Sequence, residues 1–274
     1  MGARAGRGYR SGAMGDDAAD LVRISGDGGV RTLTLHRPDR HNAQTPALWE
    51  ALAEAGRTLS ADPAVRCVVL HGAGPSFSSG IDLDEMRRPD GFIRRLAAHP
   101  AGDPDPMLPA IERAQESVRW IPRAPFPVIA AVHGAAVGAG SQLALAADLR
   151  IVAEDATFAV MEVTHGLIPD LGATWALPRL VGRERALDLV LTGRRFSGAE
   201  AVEMGLALRA VPADAVLEEA RAYAERIAAA PREALAFAKA AVDVPDLDAN
   251  LRLTAIGQAA CVRASDRFGA SDPA

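Results

Sequence analysis

Apolar positions in this chain fall into short runs whose period changes along the sequence. Residues 21–35 hold two alternating runs on either side of Gly26-Asp27-Gly28-Gly29, which predicts a β-hairpin. Residues 36–42 are polar and contain Pro38, so a loop is expected. Pro46 then opens a helix to about Leu59, with Leu48, Leu52, Ala55 and Leu59 on one face and Asp62-Pro63 as its stop. The valine-rich run 65–71 predicts a strand buried on both faces; runs 128–132 and 149–153 follow it as second and third strands. Small-residue loops at 72–80 and 134–140 each lead into a helix, at 81–86 and 141–148. Residues 87–109, rich in Pro, Asp and Gly, read as a mobile excursion. Helical periodicity returns at 111–120, and prolines break it at 122–127. A short strand is expected at 157–160, and helices at 177–191, 197–204, 215–229 and 232–242.

Strand, small-residue loop and helix thus recur in that order, which argues for α/β architecture with right-handed crossovers. The last third turns helical, as a cap or an oligomerisation element would. The expected division is a disordered leader at 1–18, an α/β core at 19–205 and a helical region at 206–274. The leader carries Arg4, Arg7 and Arg10 among glycines, lacks the apolar stretch of a secretory signal, and contains Met14 as a second candidate start.

Composition narrows the function. The formal net charge is −5 and 49% of residues are hydrophobic. Basic residues cluster only in the leader, unlike the basic face of a nucleic-acid binder. No apolar run is long enough to span a bilayer, and a soluble cytoplasmic protein is expected. The two cysteines, Cys67 and Cys261, stand far apart, so neither a disulfide framework nor a zinc site is suggested. Lys239 is the only lysine and lies between two alanines, which removes the phosphate loop. There is no GxSxG elbow and no HExxH motif, and the six histidines form no ligand-like group. Gly138-Ala139-Gly140 invites a dinucleotide reading, but the third glycine of that fingerprint falls on Leu143.

What remains is a pair of loops, Pro75–Leu83 and His133–Ser141. Small residues there leave backbone N–H groups uncovered, and a helix start adds a favourable dipole. Two such groups converging on one oxygen make an oxyanion hole; either loop alone is equally a tight turn that packs helix on sheet.

The residues themselves then become specific. The run 65–74 with Phe77-Ser78-Ser79-Gly80-Ile81-Asp82-Leu83, the HGAAVGAG loop within 128–147, and Met161-Glu162-Val163, Gly166–Asp170 and Leu177–Leu180 within 158–180 resemble, in order, three signatures of the crotonase (enoyl-CoA hydratase/isomerase) family. Thr192–Gly198 with Ala201, Gly205 and Leu206 is similar to the next element, so the resemblance covers about 20–240. It implies a spiral of ββα units with a helical C-terminal trimerisation region, assembled as a homotrimer or a dimer of trimers. It also implies an acyl-CoA substrate, no separate cofactor and no metal. The backbone N–H groups of Ile81 and Ala139 would hold the thioester carbonyl, and Ile81, Asp82, Leu83 and Asp84 would line the acyl-CoA path. The stretch 37–43 resembles the part that touches the nucleotide end of coenzyme A. There Arg40 is either a phosphate partner or a solvated loop arginine. Residues 266–274 lack the basic ending that many relatives carry.

The reaction turns on nearby acids. Family hydratases carry two glutamates; here Gln142, which exchanges no proton near neutral pH, stands at the first position. Glu162 stands at the second, in an apolar setting that raises a carboxyl. Asp170 follows in Pro169-Asp170, as in dienoyl-CoA isomerases and isomerases of ring-epoxide thioesters, or serves as a turn residue. Glu162 and Asp170 are therefore expected to relay a proton along a thioester enolate and shift a double bond. Hydration, with Glu162 placing water and Gln142 orienting it, is the second reading; a non-catalytic acyl-CoA binder is the third.

Overall fold

A computed structural model describes residues 18–100, 102, 105 and 107–264. The expected leader at 1–18 falls outside these but for its last residue, as do Met14 and the ending at 266–274. After a short helix α1 (Ala18–Leu21), the hairpin forms as β1 (Val22–Ser25) and β2 (Val30–Leu35), antiparallel with Val22 opposite Leu35. Helix α2 (Pro46–Ala61) is capped by Thr45, whose hydroxyl accepts the Leu48 N–H, and buries the predicted face Leu48, Leu52, Ala55 and Leu59. Then come β3 (Cys67–Gly72), α3 (Leu83–Arg87), α4 (Phe92–Ala97), α5 (Leu108–Arg123), β4 (Val128–Val132), β5 (Ala135–Val137), α6 (Ala139–Ala146), β6 (Leu149–Ala153) and β7 (Thr157–Ala159). The chain ends in α7 (Ala173–Val181), α8 (Arg183–Thr192), β8 (Phe196–Ser197), α9 (Gly198–Glu203), β9 (Arg209–Val211), α10 (Val216–Ala228), α11 (Arg232–Val242) and α12 (Leu247–Ala264).

Two sheets share this chain. The larger has the order β1-β2-β3-β4-β6-β9, parallel from β2 onward, and the smaller is β5-β7-β8. Single bridges from Ser78 to Ala136 and from Gln44 to Ile81 extend the smaller sheet backward along the sequence. Each pass therefore lays one strand in the large sheet and one short extended segment in the small one, then a helix: β2, Gln44, α2; β3, 78–81, α3; β4, β5, α6; β6, β7, α7. This is the spiral of ββα units that the resemblance implied. Strand β4 is wholly buried, and the core gathers on it from both faces.

Several expectations are corrected. The predicted helix 177–191 is two helices parted at Gly182, whose φ of 78° is a left-handed conformation that suits glycine. Residues 134–140 contain β5, whose three residues are too few to show a period. In the expected excursion 87–109, α4 forms because the Glu85 carboxylate accepts the Phe92 N–H (2.8 Å) and Phe92 sets its ring edge-on against Trp49 (5.1 Å between centroids). The sheet also runs past 205: β9 is its last strand and α10 packs on β3, β4 and β6, so the region after 205 is not helical throughout. Helix α12 had no counterpart among the expected elements.

Close approach of helices depends on small residues. A Cβ at Gly56 would overlap the Trp120 indole, so α2 and α5 can cross only with glycine there. The sole lysine is structural: Lys239 Nζ meets Asp148 Oδ2 at 2.8 Å and donates to the carbonyls of Ile121 (2.7 Å) and Phe126 (3.0 Å), tying α11 to the sheet. Among the described residues no helix is long and apolar enough to cross a membrane.

Candidate active site

The spiral brings the ends of three passes together around a cavity of about 390 Å³. The small sheet sets the two glycine loops side by side. Ser78 pairs with Ala136, Gln44 accepts the Asp82 N–H (2.8 Å), and the Gln44 N–H donates to Gly80 O (2.7 Å). Gly80 has φ 90°, and a Cβ there would lie 2.5 Å from Val137 O and 3.5 Å from Ala139 N. A Cβ at Gly140 would overlap the Ser78 carbonyl. Only glycines allow these loops to touch, and the contact brings Gly80, the residue before Ile81, up to Ala139. Neither N–H donates to a backbone carbonyl among the described residues, and both residues line the cavity. Ala139 also opens α6 after Gly138, whose φ of 54° and ψ of −124° turn the chain into the helix, so the helix dipole adds to the donor.

Two acids line the same cavity. Glu162 lies in a single 3₁₀ turn after β7, beside Gly138, where a Cβ would be 3.6 Å from Glu162 Oε1. Oε1 accepts from Gln142 Nε2 at 2.7 Å, while Oε2 is buried without a hydrogen-bond partner. Burial raises the Glu162 carboxyl above the ordinary range; the charge of Asp170 adds to this and the Gln142 bond opposes it. The orientation of Gln142 is fixed, because its Oε1 accepts the N–H groups of Leu171 (2.8 Å) and Ala173 (3.4 Å). Its amide nitrogen therefore has to face Glu162.

Asp170 sits in the turn before α7, and the carboxyl is raised by loss of water around it. The backbone carbonyl of Asp170 accepts from Gln115 Nε2 on α5 (3.0 Å), which ties this turn to α5. Ile81, Leu83, Ala139, Gln142, Glu162 and Asp170 thus share one cavity.

Arg40, Asp82 and Asp84 do not line it. The Asp82 carboxylate turns inward, accepts the Asp84 N–H at 3.1 Å as the cap of α3, and pairs with Arg37 and Arg40 (3.0 Å each). Burial alone would raise the Asp82 carboxyl, but that N–H and the two guanidinium groups hold it below the usual range. Arg40 is half-exposed and also meets Asp84 at 2.9 Å. These three form an ion-paired brace under the first loop. The expected lining role is corrected for Asp82, whose oxygen caps its own helix, and for Asp84, whose exposed carboxylate pairs with Arg40.

Trp49, Met86, Phe92, Ile111 and His165 also line the cavity. His165 belongs to the six histidines that form no ligand-like group in the sequence; its Nδ1 lies 3.1 Å from Met161 O. The turn of helix at 162–165 that presents it is too short to read as a period.

Comparison with known proteins shows the family. The family model for enoyl-CoA hydratase/isomerase matches residues 25–259. A 1,2-epoxyphenylacetyl-CoA isomerase of Escherichia coli K12 is 36% identical over 242 residues, 87% of this chain and 88% of its own. The mitochondrial Δ(3,5)-Δ(2,4)-dienoyl-CoA isomerase of Rattus norvegicus is 37% identical over 72% of this chain and 61% of its own. A Thermobifida fusca YX crystal structure in complex with CoA superposes with a TM-score of 0.80 at 37% identity, covering 90% of this chain and 94% of that one. An enoyl-CoA hydratase from Bacillus anthracis superposes with a TM-score of 0.80 at 31% identity, covering 90% and 93%. With its signatures placed around one cavity and its whole core matched, the chain belongs to the enoyl-CoA hydratase/isomerase family.

Proposed function

We propose that the protein is an isomerase that shifts a double bond in an unsaturated acyl-CoA thioester through an enolate. The thioester oxygen accepts from the N–H groups of Ile81 and Ala139, which stabilise the negative charge that develops there. Glu162, beside Gly138 and therefore nearest that oxygen, takes the proton from the α-carbon. Asp170, in the same cavity with a raised carboxyl, returns a proton farther along the conjugated system. Arg40, half-exposed on the same side of the first loop, is the candidate partner for a coenzyme A phosphate.

The observation that carries this reading is the locked Gln142. Its amide donates to Glu162 and cannot exchange a proton, so the acids left in the cavity are Glu162, held by that amide, and Asp170. Two acids in one cavity suit proton movement along a chain. Hydration rests on the same pair, Glu162 placing water and the Gln142 amide orienting it. The names of relatives include both activities.

Ultraviolet absorbance on a 2-enoyl-CoA and a 3,5-dienoyl-CoA separates the readings. Conjugation should appear with the diene while the enoyl ester changes little. Rapid loss of the enoyl chromophore would reverse the preference, and binding without turnover of either would support the acyl-CoA binder. The same reading assembles the chain as a homotrimer or dimer of trimers. The exposed Val242, Leu247, Leu251 and Ile256 near α11 and α12 support an interface there, which light scattering would test.

A further inference from the structure

A second cavity, of about 410 Å³, lies between α2, α4 and α5. Trp49, Phe92, Leu96 and Ala114 line both this cavity and the candidate active site, so one layer of side chains separates them. The two sides differ in chemistry. Toward the active site the layer continues into Met86, Ile93 and Ile111. On the other side stand Arg95, His99 and Arg113, with Glu50 the single acid among the lining residues. Neighbouring arginines on this surface are taken up by carboxylates, Arg88 by Asp90 (2.9 Å) and Arg119 by Glu116 (2.9 Å). Arg95 instead donates to the Asp90 carbonyl (2.7 Å), and neither it nor Arg113 has an ion-pair partner among the described residues. The two sides of the dividing layer are held differently. Trp49 is pinned by its Nε1–H to Gln44 Oε1 (2.8 Å), whereas Phe92 and Leu96 ride on the six-residue α4, which has no fully buried residue.

We propose that this second cavity is an anion subsite that takes the terminal carboxylate of an acyl group, so that the protein accepts ω-carboxyacyl thioesters. This rests on the acyl-CoA reading of the main site. The methylene chain crosses the apolar layer between Trp49, Phe92 and Leu96, and its carboxylate meets the guanidinium forks of Arg95 and Arg113, which suit a planar anion. A chain ending in methyl gains nothing from those cations and stops at the layer.

The test is calorimetric binding of saturated, non-reacting thioesters of increasing length, each with a carboxyl or a methyl terminus. It uses the full chain and the Arg95→Gln/Arg113→Gln variant. At the length that reaches the subsite, the carboxyl ester should bind about fivefold to tenfold more tightly, as expected for two partly solvated ion pairs. The variant should lose that advantage and keep its affinity for the methyl esters. Equal or weaker binding of the carboxyl esters at every length overturns the subsite alone, as does an advantage that survives in the variant. Failure of both ester series to bind overturns the acyl-CoA reading itself and the subsite with it.

Discussion

Replacing Gln142 with Glu should move the acid side of the pH profile toward alkaline pH. The amide now donates to Glu162 Oε1 at 2.7 Å and is held by the N–H groups of Leu171 and Ala173. A carboxylate in the same pose would accept those two N–H groups and remain ionised, while facing Glu162 with a negative charge in place of a donor. Two charges about 4 Å apart at an effective dielectric of about 20 repel by about 4 kcal/mol, or roughly 3 pH units if undivided. Sharing one proton between the pair relieves part of this, so a displacement of about one to three units is expected, belonging to the pair. Glu162 acts as a base only when ionised, and activity is lost as pH falls through its pKa. The raised pKa therefore shifts the acid limb of kcat/KM upward, measured on the reactive thioester across a pH series. A limb that stays in place, or moves to lower pH, would refute the role given to the Gln142 amide.

Other expectations follow from the same contacts. Gly140→Ala would push a Cβ into the Ser78 carbonyl and part the two loops; kcat should fall about a hundredfold in steady-state kinetics, as when one oxyanion donor is lost. Lys239→Met leaves the half-buried Asp148 carboxylate with only the Val128 N–H (2.7 Å) as a hydrogen-bond donor, so urea unfolding should show a loss of up to about 3 kcal/mol. Adding Asp148→Asn should recover part of it. His71, stacked on His133 at 4.8 Å, is held down to about 4 from its ordinary 6.5 by burial and by that neighbour. A histidine depressed in this way is neutral when folded, so its stability is complete above about 6.5 and is lost as pH falls toward 4, by at most about 3 kcal/mol. His71→Phe keeps the stack and should flatten denaturation midpoints across that window.

Much of the fold is legible in the sequence because burial on both faces of β4, and on one face of α2, writes a plain pattern. Valine and alanine fill the former, and Leu48, Leu52, Ala55 and Leu59 mark the latter. Of the small sheet only β7 is legible, as the strand expected at 157–160; β5 and β8 are two or three residues each and are held by cross-strand bonds rather than by their own periodicity. Helix α4 escapes for a similar reason: its order comes from Glu85 and Trp49, both outside it. At the site, Glu162, Asp170 and the two loops can be picked out as motifs, since glycine at 80 and 140 is required by backbone contact. The inward turn of Asp82 could not be, because lining a cavity and capping a helix use the same residue type. Gln142 was visible as a departure from two glutamates, but its locked orientation depends on N–H groups nearly thirty residues on. The residues His165 and Phe92 reach the cavity only through short turns that leave no pattern.

The most direct measurement of the central claim is the Glu162→Gln variant, assayed for turnover of the unsaturated thioester and, in parallel, for calorimetric binding of a saturated one. Glutamine preserves the shape beside Gly138 and removes the exchangeable carboxyl. Turnover should fall by about 10²–10⁴-fold, with binding within about threefold of the parent. Turnover retained near the parent level would contradict the assignment of Glu162 as the base.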